Sequence, residues 1–240
     1  MSTVSEGWEG KYKILVILAH PDDPEFFCGA SIARWTSSGH SVSYCLLTRG
    51  DKGTMDPTMT TSELAKIRET EQRAAASVLG VADVEFLDYE DGYLFPDIDM
   101  RKQVIRVIRK TRPDVLVTCD PTNFFIGDRY LNHPDHRAAG QVVADAYFPG
   151  AGSRLFFPEL EKEGLLPHRV RELWFSLTQS PNIILDVSQF WERKVEALLE
   201  HRSQIGDAAA FVERMWNGQT DDTTEETPKY EEKFRRIIYG

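Results

Sequence analysis

The run Ile14-Leu15-Val16-Ile17-Leu18-Ala19 offers no polar side chain to either of its alternating faces, and it stops abruptly at His20-Pro21-Asp22-Asp23-Pro24-Glu25. A strand apolar on both faces belongs in a sheet covered by helices on both sides, as in parallel α/β folds. The strand expected over residues 11–19 therefore delivers a histidine and adjacent carboxylates to its carboxyl end. A helix should follow at once. Asp23 can cap it and Pro24 suits its first turn, with Phe26, Phe27, Ala30, Ile32, Ala33 and Trp35 on its buried side before Gly39.

The same alternation continues downstream. Residues 41–48 read as a second strand. Over 62–79 the positions Leu64, Ile67, Ala74, Ala75 and Val78 keep helical spacing up to Gly80. Residues 84–87 read as a third strand, Met100, Val104, Val107, Ile108 and Thr111 mark a helix ended by Pro113, and 115–119 read as a fourth strand. An aromatic loop over 120–132 leads into a helix whose first turn is His133-Pro134-Asp135-His136. The fold class predicted is α/β: a Rossmann-like, mostly parallel sheet of order 3-2-1-4 with further strands, and helices on both faces. In that order strands one and four are neighbours and the chain leaves them in opposite directions. Their carboxyl ends form the switch point where such sheets bind ligands, so the two His/Asp clusters converge on fold logic alone.

The remainder is less regular. Residues 148–168, with Phe156-Phe157-Pro158, read as an insertion or lid. Residues 173–177 and 183–187 read as strands around a turn at Pro181 and Asn182. A long helix is expected over 188–205 with Trp191, Val195, Leu198 and Ile205 inward. Residues 218–228 read as a polar, acidic surface linker, and 230–239 as a docked helix through Phe234, Ile237 and Ile238. No composition shift divides the 240 residues, so one domain over 1–240 is expected.

Composition excludes several classes. Lys plus Arg total 28 against 38 Asp plus Glu, a net charge of −10 without a basic stripe, which argues against nucleic acid and anionic membrane as partners. No apolar run approaches the roughly 20 residues that span a bilayer, and no basic-then-apolar leader opens the sequence. A soluble, cytoplasmic protein without membrane insertion is expected. Cys28, Cys45 and Cys119 lack CxxC spacing and sit in or beside apolar runs, as reduced buried thiols do.

The two clusters carry the chemistry. A catalytic zinc commonly takes three protein ligands from His and Asp/Glu and keeps a fourth position open for water. His20, Asp23 and His136 can supply that set. Asp22, beside a ligand, is the natural base for the proton of an attacking water. His133 then becomes the electrophilic partner; if it occupies the N-cap of its helix, Pro134 sits at N1 and His136 at N3. Asp135 can hold the His133 tautomer or raise its pKa, while the positive helix end opposes its protonation.

At these residues the sequence resembles the PIG-L, or LmbE-like, family of zinc-dependent deacetylases. The resemblance rests on Ala19-His20-Pro21-Asp22-Asp23-Pro24-Glu25 with His133-Pro134-Asp135-His136. It extends through Thr48-Arg49-Gly50-Asp51-Lys52-Gly53, Arg68 to Glu71 leading to Leu79-Gly80, Asp91-Gly92 and Pro113-Asp114. It also takes in Lys194, Ala197, Leu198, His201, Ser203 and Gln204. It implies zinc, or another divalent ion such as iron(II), at His20, Asp23 and His136. It implies Asp22 as general base, His133 as oxyanion-stabilising acid, and Arg68 and Asp91 on sugar hydroxyls. The activity implied is removal of an acetyl group from an N-acetylglucosamine-type small molecule, with assembly into a trimer or hexamer. Amide cleavage of a thiol conjugate by the same site, or a metal-stabilised scaffold without catalysis, are the competing functions. A nucleotide-binding domain is disfavoured because the first strand turn lacks GxGxxG.

Plainer structural roles compete at single residues. Asp23 can be an ordinary helix cap and His20 a rim residue. Arg68 and Glu71 can form an i, i+3 ion pair, and Asp91 can merely open a turn with Gly92. His201 reads as a satisfied core group, His40 and His168 as surface or loop residues, and 221–226 as a solvated acidic run.

Overall fold

A computed structural model describes residues 5–239 apart from 82, 129, 222 and 225–228. Among the described residues one seven-stranded sheet has the order β3-β2-β1-β4-β7-β9-β8. Its strands are β1 (Lys13–Leu18), β2 (Ser41–Thr48), β3 (Asp83–Tyr89), β4 (Val115–Cys119), β7 (Glu172–Ser176), β8 (Ile183–Asp186) and β9 (Glu231–Ile238). A two-stranded hairpin, β5 (Phe125–Ile126) with β6 (Tyr130–Leu131), stands apart. β1 pairs in parallel with β2 on one side and β4 on the other, so the expected 3-2-1-4 order holds.

The residues of β1 alternate between two cores. Ile14, Val16 and Leu18 pack on one face with side chains of α1 (Asp23–Ser37), α2 (Thr61–Val78) and α6 (Trp191–Leu199). Leu15, Ile17 and Ala19 pack on the other with α3 (Ile98–Thr111) and α4 (Pro134–Asp145). Burial on both faces is why the strand reads as an unbroken aliphatic run. Cys28, Cys45 and Cys119 are free, buried thiols.

Four expectations change. The 148–168 segment follows α4, which starts at the carboxyl ends of the strands and runs roughly 18 Å toward the opposite end. There the buried Arg109 donates to the carbonyls of Ala151, Gly150, Ser153 and Phe156, and the His168 ring meets the Pro113 carbonyl before β4. The segment, including α5 (Glu159–Lys162), is thus pinned at the end of the sheet away from the switch point, where it cannot act as a lid.

Second, 230–239 form a strand and not a helix. Phe234, Ile237 and Ile238 keep helical spacing, but β9 instead buries Glu232 and Phe234 on one face and bonds to β7 and β8 at once. Third, β9 lies between β7 and β8, so Pro181 and Asn182 do not close a hairpin. Asn182 instead bonds the backbone of Phe234 and Arg236. Fourth, the long helix over 188–205 breaks into a 3-10 turn (Ser188–Phe190), α6 and α7 (Arg202–Ile205). His201 sits at the break, and α8 (Ala208–Trp216) follows. Much of the acidic linker, including 222 and 225–228, lies outside the described residues.

Candidate functional site

The turn from β1 into α1 builds the first half of the site. Asp22, not Asp23, occupies the N-cap, with φ +78° and no capping bond from its side chain. A non-glycine residue rarely adopts this left-handed backbone, and doing so turns successive side chains in different directions. Asp23, the first helical residue, folds its carboxylate back so that Oδ2 accepts the His20 backbone N–H at 2.8 Å. Its role is therefore not that of an ordinary cap.

The second half comes from α4, which His133 caps as expected, with Pro134, Asp135 and His136 following. Gly140 lets this helix approach β4: a Cβ there would lie 2.2 Å from the Cys119 carbonyl oxygen. β1 and β4 are neighbours, so the two halves meet. His136 Nε2 lies 3.0 Å from Asp23 Oδ1 and His20 Nδ1 lies 3.4 Å from Asp23 Oδ2. One donor atom from each of His20, Asp23 and His136 falls within 4.8 Å of the others.

Both imidazoles are fixed by their outer nitrogens. His136 Nδ1 meets Asn132 Oδ1 at 2.9 Å, which leaves Nε2 facing Asp23. His20 Nε2 lies 3.2 Å from Asp135 Oδ2 and 3.1 Å from Asp91 Oδ1, which leaves Nδ1 facing Asp23. Histidines that ligate metals are commonly held this way, their second nitrogen donating to a carboxylate or carbonyl. The charges agree with the geometry. Burial would raise the Asp23 pKa, but His136 and His20 outweigh it and hold the carboxyl below its usual range. Burial would lower His20, and Asp23 with the bonds to Asp135 and Asp91 raises it instead. The set fits a divalent cation in donor type, convergence and support.

Asp135 is fully buried. Its carboxylate accepts the backbone N–H groups of Gly92 at 2.7 Å and Leu94 at 3.2 Å as well as meeting His20. Its bonds thus hold His20 and the loop after β3, a connection that local sequence does not reveal. Its backbone N–H donates to His133 Nδ1 at 3.2 Å, which puts the proton of a neutral His133 on Nε2. Desolvation and the nearby His20 and His136 lower the His133 pKa and prevail over the pull of Asp135 and Asp91.

Arg68 does not pair with Glu71, whose carboxylate accepts from Ser203 Oγ and backbone N–H. Nearly buried, Arg68 donates to Gly50 O and Pro21 O at 2.8 Å and meets Asp22 Oδ2 at 3.1 Å. Asp91 accepts the Lys52 N–H at 3.0 Å as well as facing His20, so it does more than open a turn. His201 is a buried core group, its Nε2 3.2 Å from Glu25 Oε2. His168 holds the Pro113 carbonyl, and His40 Nδ1 accepts the Tyr12 N–H.

Fold and site define an α/β protein with a two-histidine, one-aspartate donor set at the switch point of a parallel sheet, flanked by a further carboxylate and imidazole. The family model described as GlcNAc-PI de-N-acetylase, PIG-L, matches residues 15–147, a span that contains both clusters. The sequence is 36% identical over 213 residues to the diacetylchitobiose deacetylase of Thermococcus kodakarensis, covering 89% of this chain and 75% of that protein. It is 26% identical to the 1D-myo-inositol 2-acetamido-2-deoxy-alpha-D-glucopyranoside deacetylase of Thermobifida fusca, covering 82% and 84%. The structure matches N,N'-diacetylchitobiose deacetylase from Pyrococcus horikoshii with a TM-score of 0.85 at 29% identity, over 95% of this chain and 84% of that one. The chain belongs to the PIG-L family. Among the described residues no helix is long and apolar enough to cross a membrane.

Proposed function

We propose that this protein is a metal-dependent N-deacetylase that hydrolyses the acetamide of an N-acetylglucosamine-type small molecule. The observation that carries the reading is the convergence of His20, Asp23 and His136 beside Asp22 and His133. His20, Asp23 and His136 would hold the cation, zinc or another divalent metal such as iron(II). When bound, such a cation lowers the pKa of water and polarises a carbonyl.

The protein's own residues divide the remaining work. Asp22 takes the proton of the attacking water and returns it to the amide nitrogen as the C–N bond breaks, releasing acetate and the free amine, and Arg68 favours its ionised form. His133, neutral with its proton on Nε2, donates to the oxygen that gains charge as the amide carbonyl is attacked. Asp135 acts mainly on His20, keeping Nδ1 toward Asp23. Asp91 retains lone pairs for a sugar hydroxyl beside its bonds to His20 and Lys52. Arg68 is buried and spends three of its five N–H groups on Gly50, Pro21 and Asp22, so its effect on substrate is assigned to the Asp22 contact.

The test pairs metal content with acetate release from N-acetylated chito-oligosaccharides. Wild type should carry about one divalent metal per chain and release acetate. His136→Ala should lose both, while Asp22→Asn should keep the metal and lose at least about 100-fold in kcat. Full activity in Asp22→Asn would reject the base assignment, and a wild type that binds no supplied metal would reject the site. The homo-oligomer, trimer or hexamer, is checked by light scattering, where a monomer would reject it.

A further inference from the structure

α2 presents two side chains one turn apart to the same turn. Arg68 holds the Pro21 carbonyl and the Asp22 carboxylate, and Gln72 holds the backbone of Asp22. Gln72 Oε1 accepts the Asp22 N–H at 2.8 Å, while its Nε2 donates to both oxygens of Glu25 at 3.0 Å. Glu25 faces His201 on its other side. Gln72, Glu25 and His201 are all fully buried. The backbone N–H of Asp22 can only donate, which leaves a single orientation: the amide oxygen must face Asp22, so the NH2 must face Glu25.

This places a polar, water-excluded brace behind a residue whose backbone has φ +78°. Left-handed geometry at a non-glycine residue persists when its surroundings over-determine it, and such residues cluster at functional sites. If Asp22 relaxed to an ordinary helical or extended φ, its N–H would leave Gln72 and its carboxylate would leave Arg68. A core that only needed to satisfy Glu25 would not require the amide's other end to meet the base.

Building on the deacetylase reading, we propose that Gln72, oriented by Glu25 and His201, is a positioning residue that holds Asp22 in the backbone conformation from which its carboxylate serves as base. Among the described residues the Gln72 side chain bonds to Asp22 and Glu25 and not to His20, Asp23 or His136, so its removal acts on the chemical step and spares metal and substrate binding.

The experiment uses the full chain loaded with zinc, with N,N'-diacetylchitobiose as probe. Gln72→Met keeps the size and loses the hydrogen bonds to Asp22 and to Glu25. Its kcat should fall at least about tenfold with KM within about twofold, and in an Asp22→Asn background the same change should cost nothing further. Metal per chain should match wild type, and a crystal structure of the variant should show residue 22 outside the left-handed region with His20, Asp23 and His136 in place. A kcat within about twofold of wild type, or an equal loss in the Asp22→Asn background, would overturn the proposal.

Should Gln72→Met not fold, Gln72→Glu keeps an oxygen toward Asp22. A kcat loss from it that persists in the Asp22→Asn background overturns the proposal, and one that disappears there supports it. A wild type that releases no acetate refutes the deacetylase reading instead. The conformation of residue 22 in the variant crystal then decides the positioning claim, retention of the left-handed turn overturning it.

Discussion

Asp22 and Asp23 are chemically identical neighbours with opposite fates. Burial pushes the Asp22 carboxyl up to about 6, against the pull of Arg68, whereas the two histidines beside Asp23 keep that carboxyl ionised. A base works only when ionised, so kcat/KM should fall about tenfold per unit as pH drops below about 6 and level off above it. Because Arg68 favours the ionised form, Arg68→Met should move this acid limb to higher pH. A pH–rate profile of both proteins checks it, and a limb that stays in place would remove Arg68 from the account. At this scale the sequence was legible for residue type: His20, Asp23, His136, Asp22 and His133 all meet at one place. It was silent on which carboxylate each imidazole faces. Asp135 reaches His20 across 115 positions, and Gln72 reaches Asp22 across 50, and neither separation leaves a periodic trace.

Among elements, α1 and α4 carry the site and each depends on one close contact. Gly140→Ala would drive a Cβ into the Cys119 carbonyl, a backbone atom that cannot turn aside. About 2 kcal/mol of stability should be lost, and the displaced His136 should weaken metal binding. Thermal unfolding and metal titration read the two effects, and an unshifted midpoint would mean that α4 can slide. α1 is kinked at Cys28, and the N–H groups of Ala30 and Ser31 freed there donate to Glu232 of β9, which Lys194 neutralises at 2.7 Å. Glu232→Ala would leave the buried Lys194 ammonium with the Phe26 carbonyl but no counter-charge, and two buried N–H groups unpaired, so about 3 kcal/mol or more should be lost. Denaturant unfolding measures this, and a change under about 1 kcal/mol would show that water or relaxation takes over. Helices α1 to α4 were legible because each has an apolar stripe with capping or stop residues. β9 was not: its Phe234, Ile237 and Ile238 imitate a helix, and the buried Glu232 makes sense only with Lys194 in view.

For the whole molecule, the parallel half of the sheet followed from strand composition and crossover handedness, and with it the meeting of the two clusters. The other half depends on an antiparallel strand inserted between two parallel ones, an order that no local rule specifies. Ending the chain at residue 228 should therefore expose β7, detach β8 and abolish cooperative unfolding, where loss of a peripheral helix would lower the midpoint only modestly. Calorimetry distinguishes the two. Ala30 and Glu232 are 202 positions apart, yet one caps the broken helix of the other. During vectorial synthesis the ligand-bearing turn emerges early, while β8 waits without a sheet partner until β9 follows it out of the ribosome. Over that interval the open flank of β7 is a template on which the β9 of another nascent copy can dock, an exchange between neighbours on one polysome. Protease protection of chains stalled at increasing lengths should accordingly appear in a single step, once residue 238 has cleared the tunnel. Gradual gain of protection from shorter lengths would show that the first four strands close on their own.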